Sequence, residues 1–333
     1  MSIASPLRLA LVGAAHPHVD YALDEALRRD DVTIVAVCDH DPARRAAVAA
    51  RAGAPAFETL DALLAAHRID AAAVTTEPGL RAAIVARLLE AGVFVIVDKP
   101  MATSFDGLAA IEAARAGRPL LTLLLEKRRY PVTRALKELV DRGALGRIVT
   151  ITTSGPHKLR PAARPDWYFD PDLYGGILND LVVHEVDLAL WLTGETARRI
   201  CGWTSSAHPE GRPGFSLAGR ALLETASGMQ VAIDVDWLQP EASPRHGDYA
   251  MRVTGTLGRA DVDFARNVLS VEAHDRAAFQ PPLPDAESPA RYAFDHLAKG
   301  APLAITAQES VRATRLSLLA QQSAREGGVW MSA

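Results

Sequence analysis

Apolar and polar positions change their rhythm near residue 125. Before it, short continuous apolar runs alternate with stretches of helical period. Leu9-Ala10-Leu11-Val12, Val32 to Cys38, Ala71 to Thr75, Val93 to Val97 and Leu120 to Leu124 read as strands buried on both faces. Between them, Val19 to Arg29 reads as a helix, and Asp41-Pro42 supplies a cap and a first-turn proline for another. Leu80, Ile84 and Leu88 set the apolar face of a further helix, with Arg81 and Arg87 off that face and Gly92 as its stop. Strand–helix alternation with continuously apolar strands predicts a doubly wound parallel sheet.

After residue 125 the pattern differs. Helices are expected over Val132 to Arg142, Gly176 to Leu192 and Ala307 to Glu326, the last with Ala307, Val311, Thr314 and Leu318 on one face. Ile148 to Thr153 reads as a strand. Val231, Ile233, Val235 and Trp237 alternate with Gln230, Ala232, Asp234 and Asp236 after the turn Ser227-Gly228, which is the period of a half-buried antiparallel strand. The expectation is two domains of different class: residues 1–125 as a Rossmann-type α/β unit and residues 126–333 as an α+β unit with an open, largely antiparallel sheet.

Composition narrows the function. The chain has 36 Lys+Arg against 40 Asp+Glu, a net charge of -4, so it lacks the basic excess that would neutralise a nucleic-acid backbone. Cys38 and Cys201 are its two cysteines, which argues for a reducing compartment and against a disulfide framework. No run approaches the length of a membrane helix. The apolar stretch after Arg8 stops at Ala15, before His16-Pro17-His18, which fits a buried strand better than a secretory leader. A cytoplasmic protein with no membrane partner is expected.

Three segments carry chemistry. The turn Gly13-Ala14-Ala15-His16-Pro17-His18 follows a strand and precedes a helix, where a dinucleotide fingerprint would read G-x-G-x-x-G. One glycine remains, with Ala15 small enough for close approach and His18 at the third glycine position. Asp39 ends the next strand, placed to accept from both hydroxyls of an adenosine ribose and to repel a 2′-phosphate, which favours NAD over NADP. Arg44 and Arg45 lie near enough to soften that preference. The His16-Pro17-His18 triplet is also the kind of pair that binds a divalent metal in amidohydrolase-type barrels, but such a barrel needs strand–helix alternation throughout the chain. The second segment, Asp98-Lys99-Pro100, puts an ammonium at the carboxyl end of the strongest strand. The third is Gly175-Gly176-Ile177-Leu178-Asn179-Asp180-Leu181-Val182-Val183-His184-Glu185-Val186-Asp187. Asp180 and His184 sit four apart on an apolar helix, a spacing that suits a carboxylate orienting a general-base imidazole, and the two glycines would let the backbone lie against a ligand.

Together these segments resemble the Gfo/Idh/MocA oxidoreductases. Lys127-Arg128-Arg129-Tyr130-Pro131 to Gly143-Ala144-Leu145-Gly146-Arg147-Ile148 is similar to the opening of that family's second domain, and Thr306 to Gly327 to its C-terminal helix. The resemblance implies a catalytic Lys99, Asp180 and His184. It implies cofactor contacts from Gly13, Ala14, Ala15, His16, Asp39, Thr75, Thr76, Pro78, Asp98 and Lys99, with NAD as cofactor and NADP as the alternative. It further implies a homodimer or homotetramer built through the C-terminal sheet. The chain departs from the family pattern in its reduced glycine turn, in Asp98 where Glu is usual, and in Arg81 where the family often has His.

The implied reaction is hydride transfer between a nicotinamide and a secondary alcohol or ketone of a sugar or polyol. His184 would move the hydroxyl proton, Asp180 would orient it and Lys99 would stabilise the alkoxide. Tyr130, His157, Trp167 and Asn179 are the expected substrate residues, with Tyr168 beside them. Lys158, Arg160 and Arg164 leave a phosphorylated or acidic substrate open. The competing readings are an NAD-dependent glycosidase of the same family, a non-enzymatic dinucleotide sensor, and a metal-dependent hydrolase working through His16 and His18. No metal is otherwise expected.

Overall fold

The computed structural model describes residues 6–333, so the first five residues of the expected N-terminal domain lie outside it. The chain divides into two compact units. The first takes residues 1–126, 172–174 and 288–312, and the second takes 127–171, 175–287 and 313–333.

The first unit is built from β1 (Leu7–Val12), α1 (Val19–Leu27), β2 (Val32–Cys38), α2 (Pro42–Ala52), β3 (Ala56–Phe57), α3 (Leu60–Ala66), β4 (Ala71–Val74), α4 (Pro78–Glu90), β5 (Phe94–Asp98), α5 (Phe105–Arg115) and β6 (Leu121–Leu124). Its six strands lie in the order β3-β2-β1-β4-β5-β6, every pair parallel. This is the doubly wound order, which reverses between β1 and β4 and opens a ligand crevice at their carboxyl ends. Every residue of β4, β5 and β6 is buried, which is why these strands read as unbroken apolar runs.

The helix signals hold in detail at α2. Asp41 caps it by accepting from Arg44 N, Pro42 stands in its first turn, and Gly53 ends it at φ 62°. At α4 the expected face holds at Leu88 and fails in the first turn. Leu80 is 42% exposed, whereas Arg81 is 1% exposed and the buried stripe runs through Val85, Leu88 and Leu89. The cause is polar: the Arg81 guanidinium turns inward to donate to the carbonyl oxygens of Thr76, Asp98 and Pro100. The ends of β4 and β5 are thereby tied together.

The second unit begins with a 3₁₀ turn and α6 (Pro131–Asp141), then β7 (Ile148–Pro156); the short α7 (Pro171–Tyr174) lends residues 172–174 to the first unit, and the second continues with α8 (Val183–Thr193), β8 (Ala197–Thr204), β9 (Ala218–Thr225), β10 (Gln230–Asp236), β11 (Ala250–Gly255), β12 (Gly258–Asp263), β13 (Val268–Ala273) and β14 (Arg276–Phe279). The chain closes with α9 (Arg291–Lys299), α10 (Ala307–Arg325) and β15 (Met331–Ser332). The second sheet has nine strands in the order β14-β13-β12-β11-β7-β10-β9-β8-β15. Only β7 and β10 pair in parallel; the other neighbours are antiparallel. On β10 the expected alternation holds: Val231, Ile233 and Val235 are buried and the residues between them are partly open.

Residues 288–312 return to the first unit. Tyr292 donates to the Leu123 carbonyl at 3.1 Å, and Thr122 Oγ1 donates to the Ile305 carbonyl at 2.8 Å.

The helix expected over 176–192 starts later and less regularly. Gly175 and Gly176 take φ values of 84° and 97°, a π turn spans Leu178–Val182, and only then does α8 run. A Cβ on Gly176 would meet Gln321 Oε1 at 2.4 Å. The glycine pair therefore lies tight against α10, a protein neighbour, where the sequence suggested a ligand.

Candidate functional site

In the first unit the turn after β1 is sewn to the end of β4. Gly13 N donates to the Cys38 carbonyl at 2.7 Å, Thr75 Oγ1 donates to the Gly13 carbonyl at 2.6 Å, and Ala15 N donates to the Thr75 carbonyl at 3.1 Å. Gly13 sits at φ 80°, and a Cβ there would meet Thr76 N at 2.5 Å and Thr76 Cα at 2.6 Å. The one surviving glycine is thus the one the turn requires. Thr76 Oγ1 and Glu77 Oε2 are buried with no hydrogen-bond partner among the described residues. A tight glycine turn before α1, flanked by buried polar atoms awaiting partners, fits a dinucleotide. Gly13, Ala14, Ala15, Thr75, Thr76 and Pro78 all lie on these two strand exits.

Asp39 follows β2 with its side chain 1% exposed. Its Oδ2 accepts from Ala14 N at 2.7 Å and its Oδ1 from Asp41 N at 2.8 Å, so it braces the turn.

At the end of β5, Asp98 is fully buried. Burial alone would raise its pKa. The nearby His18 and Arg81, with a hydrogen bond from His18, reverse that and hold the carboxyl well below the usual carboxylate range. His18 Nδ1 lies 2.7 Å from Asp98 Oδ1, and His16 Nδ1 3.6 Å from Oδ2. The His16 and His18 rings are 4.0 Å apart, and His18 stacks on Tyr21 at 4.8 Å. His16 is pushed well below its ordinary pKa, first by burial and then by the charge of His18.

These three residues offer ligand atoms within 4.8 Å of one another. Arg81 Nη2 stands 3.4 Å from Asp98 Oδ2, and a guanidinium there opposes a cation. The open six-stranded sheet excludes the hydrolase barrel on which the metal reading depended. Lys99, 9% exposed, is flanked on both sides by carbonyls that Arg81 grips: Asp98 at 3.0 Å and Pro100 at 2.8 Å.

In the second unit, Asp180 lies in the π turn and His184 near the start of α8, both under 5% exposed. Tyr168 donates to Asp180 Oδ2 at 3.3 Å. Around it the rings of Trp167, Phe215 and Trp237 pack on Tyr168, and the Arg164 guanidinium covers its face at 4.3 Å. His157 lies 4.7 Å from Tyr249 and 5.2 Å from Trp237. Tyr130 precedes α6, and Trp167 Nε1 is buried without a partner among the described residues. Asn179 is fully buried and accepts from Ser317. Lys158, a candidate for an acidic substrate, is buried and donates its ammonium to the carbonyls of Glu241 and Ser243.

Two further side chains shape these sites. Glu185 and Asp187 follow His184 on α8 and are both about 1% exposed. Lys127 pairs with Glu185, which also accepts from Thr153 at 2.6 Å, and Arg128 grips Asp187 with two nitrogens. The alternation of acids with apolar residues in Val183-His184-Glu185-Val186-Asp187 was the signal available for them.

Comparison with known proteins agrees with this geometry. A family model described as "Oxidoreductase family, NAD-binding Rossmann fold" matches residues 7–121, and one described as "GFO/IDH/MocA C-terminal domain" matches residues 133–261. The D-xylose 1-dehydrogenase (NADP(+)) 2 of Haloferax volcanii is 30% identical over 73% of this chain and 72% of its own. This chain belongs to the Gfo/Idh/MocA oxidoreductase family. The inositol 2-dehydrogenase of Streptomyces avermitilis is similar at 31% identity over 81% of each chain. A solved levoglucosan dehydrogenase in complex with NADH shares the fold, with a TM-score of 0.86 over 98% of this chain and 99% of that one at 18% identity. The chain is therefore an NAD(P)-binding Rossmann oxidoreductase, and its named relatives in the family include sugar and polyol dehydrogenases. No helix among the described residues is long and apolar enough to cross a membrane.

Proposed function

We propose that this chain oxidises or reduces a secondary alcohol carbon of a sugar or polyol, with Lys99, Asp180 and His184 as its catalytic groups. The observation that carries the reading is the buried Asp180 carboxylate, fixed by Tyr168 and preceding His184 by one turn. A buried carboxylate of this kind orients an imidazole and supports the positive charge it gains on taking a proton. His184 accepts the proton of the reacting hydroxyl in oxidation and returns it in reduction. Lys99 offers a positive charge to the developing alkoxide, held in place by the carbonyl grip on its neighbours.

Gly13, Ala14, Ala15, His16, Asp39, Thr75, Thr76, Pro78, Asp98 and Lys99 are the cofactor-side residues. A bound nicotinamide would supply the hydride half of the reaction. The substrate side is Tyr130, His157, Trp167 and Asn179. Aromatic rings and few free cations suit a neutral polyhydroxylated ring better than a phosphorylated one. Residues 1–125 are the cofactor domain and 126–333 the substrate domain in this reading, which further takes the chain to be a homodimer or homotetramer through the second sheet. Buried, unbridged Cys38 and Cys201 accord with a cytoplasmic setting.

The test is a calorimetric titration with NAD⁺ and NADP⁺, followed by a sugar and polyol panel read by nicotinamide absorbance. Binding and turnover of at least one polyol are expected, with His184→Ala losing about 10²–10⁴-fold in rate while keeping cofactor affinity. Unchanged turnover in that variant, or in Lys99→Ala, would sink the assignment.

A further inference from the structure

Asp39 is more heavily engaged than a waiting ribose acceptor should be. Besides the main-chain donors Ala14 and Asp41, its Oδ2 accepts from Arg44 Nε at 3.2 Å and its Oδ1 from Arg44 Nη2 at 3.0 Å. An ionised carboxylate offers about four lone-pair sites, and four donors are in place. A ribose diol finds no vacancy here unless one pair leaves. The main-chain donors are fixed by the Gly13 turn and the α2 cap, so the pair that can leave is the Arg44 side chain.

Arg44 already touches its other destination. Its Nη2 also donates to Glu77 Oε1 at 2.8 Å. Glu77 stands at the N-cap position of α4, where its side chain, 5% exposed, makes no capping bond, and its second oxygen is the buried, partnerless Oε2. Glu77 can therefore take more of the guanidinium than it now holds. Two other side chains face this cluster. The exposed His40 has Nδ1 3.7 Å from the Asp39 carboxylate and Nε2 3.7 Å from that of Glu77, and Arg45 donates to the Asp39 carbonyl at 2.7 Å.

The two positions of Arg44 favour different ligands. Lying across Asp39, the guanidinium neutralises the carboxylate that would repel a 2′-phosphate and is itself a fork for that phosphate. Drawn onto Glu77, it leaves Asp39 charged and open to a ribose diol. We propose that Glu77, by competing with Asp39 for Arg44, tilts the first unit toward NAD and away from NADP. This rests on the dinucleotide reading above and assigns the choice between the two dinucleotides to a residue outside the ribose-binding strand end.

The test is a set of calorimetric titrations of NAD⁺ and NADP⁺ against the intact wild-type chain, Glu77→Gln, Glu77→Asp and Arg44→Ala, each checked for an unchanged melting transition. Loss of one charge-assisted contact predicts that Glu77→Gln shifts the ratio of the two dissociation constants about tenfold toward NADP. Arg44→Ala should shift it in the opposite direction, and Glu77→Asp, which keeps the charge, should stay near wild type. If the wild type binds a dinucleotide but Glu77→Gln leaves the ratio unchanged, or both Glu77→Gln and Arg44→Ala move it the same way, the competition is refuted. A wild type that binds neither dinucleotide overturns the underlying reading and this inference with it.

Discussion

Arg81 Nη1 donates to the Pro100 carbonyl at 2.8 Å, and the same nitrogen reaches the Asp98 carbonyl at 3.0 Å, so one buried guanidinium holds the chain on both sides of Lys99. Its remaining donors meet the Thr76 carbonyl and the Asp98 carboxylate. Arg81→Leu strips three buried carbonyls of their donor and leaves Asp98 with less compensation. Each unsatisfied buried group costs about 1–3 kcal/mol, so a loss above about 3 kcal/mol is expected. Arg81→Lys keeps the charge without the fork and should lose less. Urea unfolding of the three proteins decides it, and a leucine variant as stable as wild type would remove this clamp from the account.

Acid should weaken the first unit through His16. Burial and the neighbouring His18, Lys99 and Arg81 lower its pKa in the fold, with Asp98 opposing them. A histidine whose folded pKa lies below its unfolded one contributes stability that is whole above about pH 6.5 and is lost as pH falls toward the folded value. The expected slope between pH 6.5 and 5 is at most about 1.4 kcal/mol per pH unit, one proton taken up on unfolding. Denaturant melts of wild type and His16→Asn across that range should differ in slope. Parallel lines would show that the proton goes elsewhere.

Gly13 and Gly53 separate two costs of a positive φ. Gly53, at φ 62°, has nothing within 4 Å of a built Cβ, so Gly53→Ala pays only the conformational penalty of about 1 kcal/mol. Gly13→Ala adds a clash with the backbone of Thr76, within 2.6 Å. Its loss should be about 2–3 kcal/mol, and it should also weaken dinucleotide binding because Thr76 must move. Paired thermal melts test the difference, and equal losses would mean the turn has room that the geometry denies.

Periodicity made the strands of both sheets legible. Val231, Ile233 and Val235 on β10 announced one buried face, and the all-apolar β4 and β5 announced two. Asp180 and His184 were legible as residues the fold would bury, because polar groups on an apolar helix need a reason, and both are under 5% exposed. Arg81 was not. A cation reads as a solvent-facing residue until the carbonyls of Thr76, Asp98 and Pro100 are seen around it, and those come from two different strand exits. The glycine pair at 175–176 signalled a close approach but could not name Gln321 as the neighbour. The engagement of Tyr292 with Leu123 was equally hidden, since a non-local contact leaves no periodic mark. The place of Asp39 was visible from its strand end, while Glu77, which shares Arg44 with it, follows another strand.

The pair Arg128–Asp187 ties the 3₁₀ turn before α6 to the helix that carries His184. Both side chains are 1% exposed, and the guanidinium meets the carboxylate through Nε at 2.6 Å and Nη2 at 2.5 Å while lying 5.2 Å from the Trp191 ring. Removing one partner strands a buried charge, so Asp187→Asn should destabilise the chain by about 3–5 kcal/mol. Replacing both partners by apolar residues of similar size, Arg128→Met with Asp187→Leu, removes the charge and its desolvation together. That double variant should recover most of the stability. Activity should not follow stability. The single variant weakens and the double variant erases the anchor next to His184, and both should lower kcat with little change in the cofactor dissociation constant. A double variant that regained stability and full kcat would show that α8 places His184 through its apolar packing alone, and that the ion pair serves the fold without serving the site.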